Sequence, residues 1–121
     1  MENKYLLSLD GGGVREIATV IFLSKLEKAL GTPLYKKFDF FVGTSAGAIT
    51  AMALSIAKMS GDNLLEFWSE ETFERILDSS LWDSKLGLMQ INPKYDGKGK
   101  KQVLNEYFGD LKLGDASGDL A

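Results

Sequence analysis

The sequence predicts an α/β fold with a mostly parallel sheet, on three observations. Two short apolar runs suited to buried strands, Lys4 to Leu9 and Phe38 to Val42, alternate with longer segments of helical period. Each run stops at glycine, at Asp10-Gly11-Gly12-Gly13 and at Gly43, and a helical segment follows both stops. The length, 121 residues, allows one domain (1–121) and hardly more.

The elements follow in order. KYLLSL reads as a strand ending in a tight turn. Ile17 to Leu30 carries Phe22, Leu23, Leu26 and Leu30 at helical spacing, and Gly31 and Pro33 stop it. FDFFV is the second strand. Ala46 to Met59 is apolar on most faces, which predicts a central helix covered on several sides. Asp62 is the expected N-cap of a helix through Leu77, with Leu64, Leu65, Trp68, Phe73 and Ile76 inward. Leu81 to Gly99 is irregular, a short helix spans about Lys100 to Phe108, and Gly109 to Ala121 has no clear period. Two strands fall short of the roughly four to six that a stable sheet commonly needs. The chain therefore reads as the first part of a larger α/β domain, or as a form that relies on a partner.

Composition narrows the chemistry. A 45% hydrophobic and 26% charged chain is an ordinary globular one, and its net charge of −3 argues against a general nucleic-acid binder. With neither Cys nor His, disulfides and ordinary zinc and copper sites are excluded. No calcium loop of the D-x-[DN]-x-[DN]-G kind occurs. Tyr5 to Leu9 is too short for a signal-peptide core, and Phe40 to Ala57 is interrupted by Gly43, Thr44, Ser45 and Gly47, so neither a signal peptide nor a membrane span is expected. The expected location is a soluble, cytoplasmic one. Without histidine, any nucleophile must work outside a Ser-His-Asp triad.

Gly43-Thr44-Ser45-Ala46-Gly47 matches G-x-S-x-G and lies between a strand and an apolar helix. That context is a nucleophile elbow, a sharp turn that presents a serine hydroxyl at the carboxyl end of a strand. Gly43 and Gly47 relieve crowding in the turn, and the helix start aims N–H groups and a dipole at Ser45. The plainer reading is a glycine-lined turn with Ser45 only as N-cap. Asp10 to Arg15 is a second strand-to-helix junction whose three glycines leave N–H groups bare for an anion, a phosphate or a developing oxyanion. The plainer reading there is a structural turn. A dinucleotide site would need glycine where Glu16 stands, and a P-loop would need G-K-[ST]. Both junctions lie at the carboxyl ends of strands that should be neighbours, where α/β sheets gather ligands. A serine beside a separate bank of N–H donors suits acyl transfer. The rival from a different class is an anion- or nucleotide-binding module without catalysis.

The run S-L-D-G-G-G-V-R, then F-V-G-T-S-A-G-A, then P-K-Y-D-G-K-G (Pro93 to Gly99), resembles the patatin-like phospholipases, lipid acyl hydrolases. The resemblance covers nearly the whole chain. It implies the N-terminal part of a three-layer α/β/α domain and a Ser–Asp dyad that cleaves ester bonds of phospholipids or related lipids. Ser45 matches the nucleophile. Gly11, Gly12, Gly13 and Ala46 match the oxyanion hole, with Asp10 and Arg15 supporting the loop. Glu16 stands where the family usually has glycine. The dyad aspartate lies in an Asp-Gly-Gly or Asp-Gly-Ala tripeptide downstream of the serine, and Asp96, Asp115 and Asp119 are not in one. No base is therefore identified, the chain is expected to stop before it, and residues 1–121 alone are expected to be inactive. The resemblance implies a lipid substrate with peripheral membrane contact, no nucleic acid, and neither metal nor organic cofactor; it specifies no protein partner. Phe67, Trp68 and Phe73 suit either an acyl groove or the core. Lys94, Lys98, Lys100 and Lys101 suit either anionic headgroups or a solvated helix start.

Overall fold

A computed structural model describes residues 2–77 and 98–121. The two expected strands form: β1 (Leu6–Leu9) pairs in parallel with β2 (Phe40–Gly43), with Leu6 opposite Phe40 and Leu9 opposite Gly43. A third parallel strand, β3 (Asp119–Leu120), lies on the far side of β2, so the order is β1-β2-β3. This strand falls in the tail that has no clear period in the sequence. Its ladder comes from β2 and the residues around it: Asp119 N donates to Asp39 O at 2.9 Å and Ala121 N to Phe41 O at 2.8 Å. Two residues are too few to leave an alternation that a sequence reader can see.

Between β1 and β2 run a 3-10 turn (Gly13–Arg15), α1 (Glu16–Leu30) and a short α2 (Leu34–Lys37) that the sequence reading did not separate. Gly31, at φ 66°, ends α1 as expected. After β2 comes α3 (Ala46–Ser55), four residues shorter than expected. The single helix expected from Asp62 to Leu77 is two, α4 (Gly61–Phe67) and α5 (Glu70–Leu77). Its N-cap is Ser60, whose hydroxyl accepts from Asn63 N while the Asn63 side chain accepts from Ser60 N. Asp62 instead accepts a hydrogen bond from the Ser24 hydroxyl of α1 at 3.0 Å, and Lys28 pairs with it. The last helix, α6 (Lys98–Phe108), is tied to α5 by a two-pronged contact from Arg75 to Glu106, at 3.1 and 2.8 Å.

The three strands progress across the sheet in one direction. Right-handed crossovers between strands so ordered deposit their helices on one face. Burial follows that rule. Leu9 and Phe41 are buried with Val20, Leu23, Ala51, Leu54, Leu64 and Phe67 in one cluster, with Leu7 and Leu120 packed against it. On the other face Leu6 is 56% exposed and Ser8 is exposed. A second helical layer is not among the described residues. Phe67, Trp68 and Phe73 belong to the core, Trp68 stacked on Phe73 with ring centres 4.7 Å apart, and Leu65, expected inward, faces out. Lys100 and Lys101 are exposed on α6, whereas Lys94 and Asp96 lie outside the described residues. No helix among the described residues is long and apolar enough to cross a membrane.

Candidate active site

The site is built where β1 and β2 end. Thr44 N continues the ladder one step beyond the sheet by donating to Leu9 O at 3.2 Å, and the chain then turns sharply at Ser45. Ser45 sits at φ 54° and ψ −126°, a left-handed position that a side chain adopts only under strain. It is exposed, and its side chain does not cap α3. Its carbonyl instead accepts from Ala48 N and Ile49 N, at 3.0 and 3.3 Å, and starts the helix. A serine held in strain without a capping bond is not explained by the N-cap reading.

Close contacts on both sides hold the turn. A Cβ on Gly47 would overlap the carbonyl oxygen of Leu9, and one on Gly43 would overlap the carbonyl of Gly47. The helix start therefore packs directly onto the strand ends, with no space for a side chain between them.

The glycine loop lies against the elbow from the β1 side. Gly11 N donates to Thr44 Oγ1 at 3.0 Å, and a Cβ on Gly11 would stand 2.6 Å from Ser45 Cβ. The Gly11 N–H, one of the expected oxyanion donors, thus meets Thr44 in this structure, and the missing side chain lets the two loops touch. The N–H groups of Gly12, Gly13 and Ala46 have no acceptor among the described residues, and those three remain as donors. Gly13 has φ 56°, a conformation that favours glycine. Arg15 N donates to Gly12 O at 3.1 Å, and a Cβ on Gly12 would stand 3.2 Å from the Arg15 Cβ. The Asp10 side chain is exposed and makes no hydrogen bond or ion pair among the described residues.

One residue next to the loop carries a buried carboxyl group that the sequence does not announce. Glu16 begins α1 with an ordinary right-handed backbone, φ −56° and ψ −27°, so replacing a glycine there costs the loop nothing. Its side chain is 1% exposed and reaches Thr50 of α3. Desolvation by burial raises its pKa above the usual carboxylate value, and the Thr50 hydrogen bond only partly opposes this. A Glu one position past a glycine loop reads as a solvated helix start, and nothing in the sequence distinguishes it.

The patatin-like phospholipase family model matches residues 7–121. The chain belongs to that family. It is 35% identical over 111 residues to a cGAMP-activated phospholipase of Pseudomonas aeruginosa, covering 92% of this chain and 33% of that protein. It is 33% identical to patatin-like protein 4 of Arabidopsis thaliana, covering 89% of this chain and 30% of that protein. Phospholipase A I of the same plant is 30% identical, covering 95% of this chain and 10% of its own length. The chain thus spans a third or less of these relatives. Two of these relatives are named phospholipases.

Proposed function

We propose that the protein carrying this segment is a lipid acyl hydrolase in which Ser45 is the nucleophile. The observation that carries the reading is the strained, exposed Ser45 between β2 and α3, with the glycine loop packed against it at Gly11 and the Gly12, Gly13 and Ala46 N–H groups without an acceptor among the described residues. The Ser45 oxygen attacks the ester carbonyl carbon, and the carbonyl π pair moves onto oxygen, where the N–H donors and the α3 dipole stabilise it. The serine proton passes to a base and then to the departing alcohol as the tetrahedral species collapses to an acyl-enzyme. Water, deprotonated by the same base, releases the fatty acid and restores the hydroxyl.

The base is the aspartate of a Ser–Asp dyad, by resemblance to the family. No described carboxylate hydrogen-bonds Ser45, and residues 1–121 alone are expected not to turn over esters. The substrate is the ester of a phospholipid or related lipid, met at a membrane surface without a spanning segment. An exposed apolar stripe, Val14, Ile17, Ile21 and Phe22, leads away from the glycine loop and supports contact with lipid.

Ser45→Ala in the intact protein tests the reading. It should abolish ester hydrolysis and covalent labelling by a fluorophosphonate while the circular dichroism spectrum is kept. Hydrolysis at the wild-type rate in that variant would overturn it.

A further inference from the structure

Thr50 has one hydroxyl proton and two lone pairs, and three groups converge on it. Glu16 Oε1 stands 2.6 Å from Thr50 Oγ1, the Trp68 indole N–H donates to that oxygen at 2.9 Å, and the Ala46 carbonyl lies 3.2 Å away. Glu16 Oε2 has no partner among the described residues. Two hydrogen-bond arrangements are possible, and they differ in cost.

With an ionised Glu16, the Thr50 proton must go to Oε1. A buried anion is then left with one oxygen bare and no cation beside it, and Thr50 no longer donates to the Ala46 carbonyl. With a neutral Glu16, the acid O–H donates to Thr50, Thr50 donates to Ala46 O, and Trp68 fills the second lone pair. That arrangement uses every position on Thr50 and buries no charge. An unpaired buried charge costs far more than one unpaired neutral oxygen. Beyond the Thr50 hydroxyl, no cation among the described residues pairs with the anion. Residues Ala46–Ser55 of α3 include no titratable side chain. Asp62 and Glu66 of α4, Glu70, Glu71 and Glu74 of α5, and neighbouring Arg15 are all exposed, and Arg75 of α5 is paired with Glu106.

We infer that Glu16, as a neutral carboxylic acid, is a positioning residue that ties the end of the glycine loop to the first turn of α3 through Thr50, holding Ala46 in place beside Ser45. The inference rests on the reading of Ser45 as nucleophile. It gives the acid a role at a distance from the reacting atoms: Glu16 touches no substrate, and the chain Glu16–Thr50–Ala46 acts on the backbone beside the serine. Trp68 anchors the same hydroxyl from the end of α4, so the joint connects the loop, the elbow helix and the core behind them.

The experiment joins spectroscopy to labelling in the intact protein. In a nitrogen-15 pH titration, the Trp68 indole and Ala46 amide resonances should move together, with a midpoint above the ordinary carboxylate range. In Glu16→Gln, whose amide N–H replaces the acid donor, both should stay at their low-pH positions. The rate of fluorophosphonate labelling at Ser45 should fall with rising pH through that midpoint in the wild type. Glu16→Gln should lack that limb, and Glu16→Ala should label about tenfold more slowly, the equivalent of one buried hydrogen bond. A midpoint in the ordinary carboxylate range, unlinked Trp68 and Ala46 resonances, or a Glu16→Gln variant as slow as Glu16→Ala would each overturn the inference. Should Glu16→Ala fail to fold, the Gln variant and the two titrations decide. Labelling that persists in Ser45→Ala would instead remove the nucleophile reading, while the resonances still report whether the joint exists.

Discussion

Gly11 and Ser45 pack so closely that a single methyl group on Gly11 would stand 2.6 Å from the serine Cβ and 2.5 Å from the Thr44 carbonyl oxygen. Such distances do not occur between real side chains, and Thr44 and Ser45 backbone atoms cannot swing aside. Gly11→Ala should therefore displace the loop from the elbow and lower kcat for ester hydrolysis by about 100-fold, the scale of losing one oxyanion donor. Gly12→Ala is the contrast. Gly12 has extended φ, −175°, and its added Cβ meets only the Arg15 side chain, at 3.2 Å. Steady-state kinetics of the pair check this: equal losses would show that contact with Ser45 is not what makes Gly11 necessary.

Strain at Ser45 should be measurable as stability. A non-glycine residue held at such dihedrals costs about 1–3 kcal/mol. Because Ser45 makes no side-chain cap bond, Ser45→Gly should relieve that cost without losing a capping hydrogen bond. Urea unfolding should place Ser45→Gly above the wild type by an amount in that range, with Ser45→Ala close to the wild type and both variants inactive. A glycine variant no more stable than the alanine one would contradict stored strain at this position.

Gly47 has no room for any side chain, since its Cβ would overlap Leu9 O and lie 3.1 Å from the Asp10 carbonyl carbon. Gly47→Ala should force α3 away from the strand ends and cost about 1–3 kcal/mol, as overpacking of a filled interior does. Denaturant midpoints check the magnitude, and the loss of activity should accompany the loss of stability.

Thr50→Val keeps the volume but removes the hydroxyl. Trp68 N–H and Glu16 would both lose their partner inside the protein, at about 1–3 kcal/mol for each buried group left unsatisfied. Thr50→Ser should recover most of that loss. Thermal unfolding of the two variants side by side separates the hydroxyl from the methyl group.

The raised pKa of Glu16 has a definite sign in stability against pH. The folded state holds the proton more tightly than the unfolded chain, whose value is near 4.5. Between that value and the folded one, the native state binds more protons, so stability falls as pH rises and levels off once both states are ionised. Asp39, held low mainly by the Tyr5 backbone N–H, and Glu106, held low mainly by Arg75, act oppositely: the stability that they contribute is lost on acidification. Unfolding midpoints should therefore decline above about 4.5 in the wild type, and Glu16→Gln should abolish that decline without altering the acid limb.

Local order was enough to place both strand-to-helix turns. Strand, glycine turn and helix follow one another twice, and the backbone limits imposed by Gly13, Gly31 and Gly43-x-Ser45-x-Gly47 act over a few neighbouring residues. Fold class, the elbow and the loop could therefore be read before any contact was known. The boundary errors have the same origin. Ser60 and Asp62 are both good caps, and the choice between them turned on the Asn63 side chain and on Ser24 of α1.

What only the tertiary structure decided depends on residues far apart in the chain. β3 exists because β2 offers an edge to Asp119 and Leu120, not because those residues favour a strand. The Gly11 N–H meets the hydroxyl of Thr44, 33 positions away. Glu16 became a buried acid because Thr50 and Trp68 close over it from α3 and the end of α4. Glycine freedom and helical period are properties of adjacent residues, so a sequence displays them. Burial and hydrogen-bond partnership depend on which distant groups are brought within about 3 Å, and that is settled only when the chain folds.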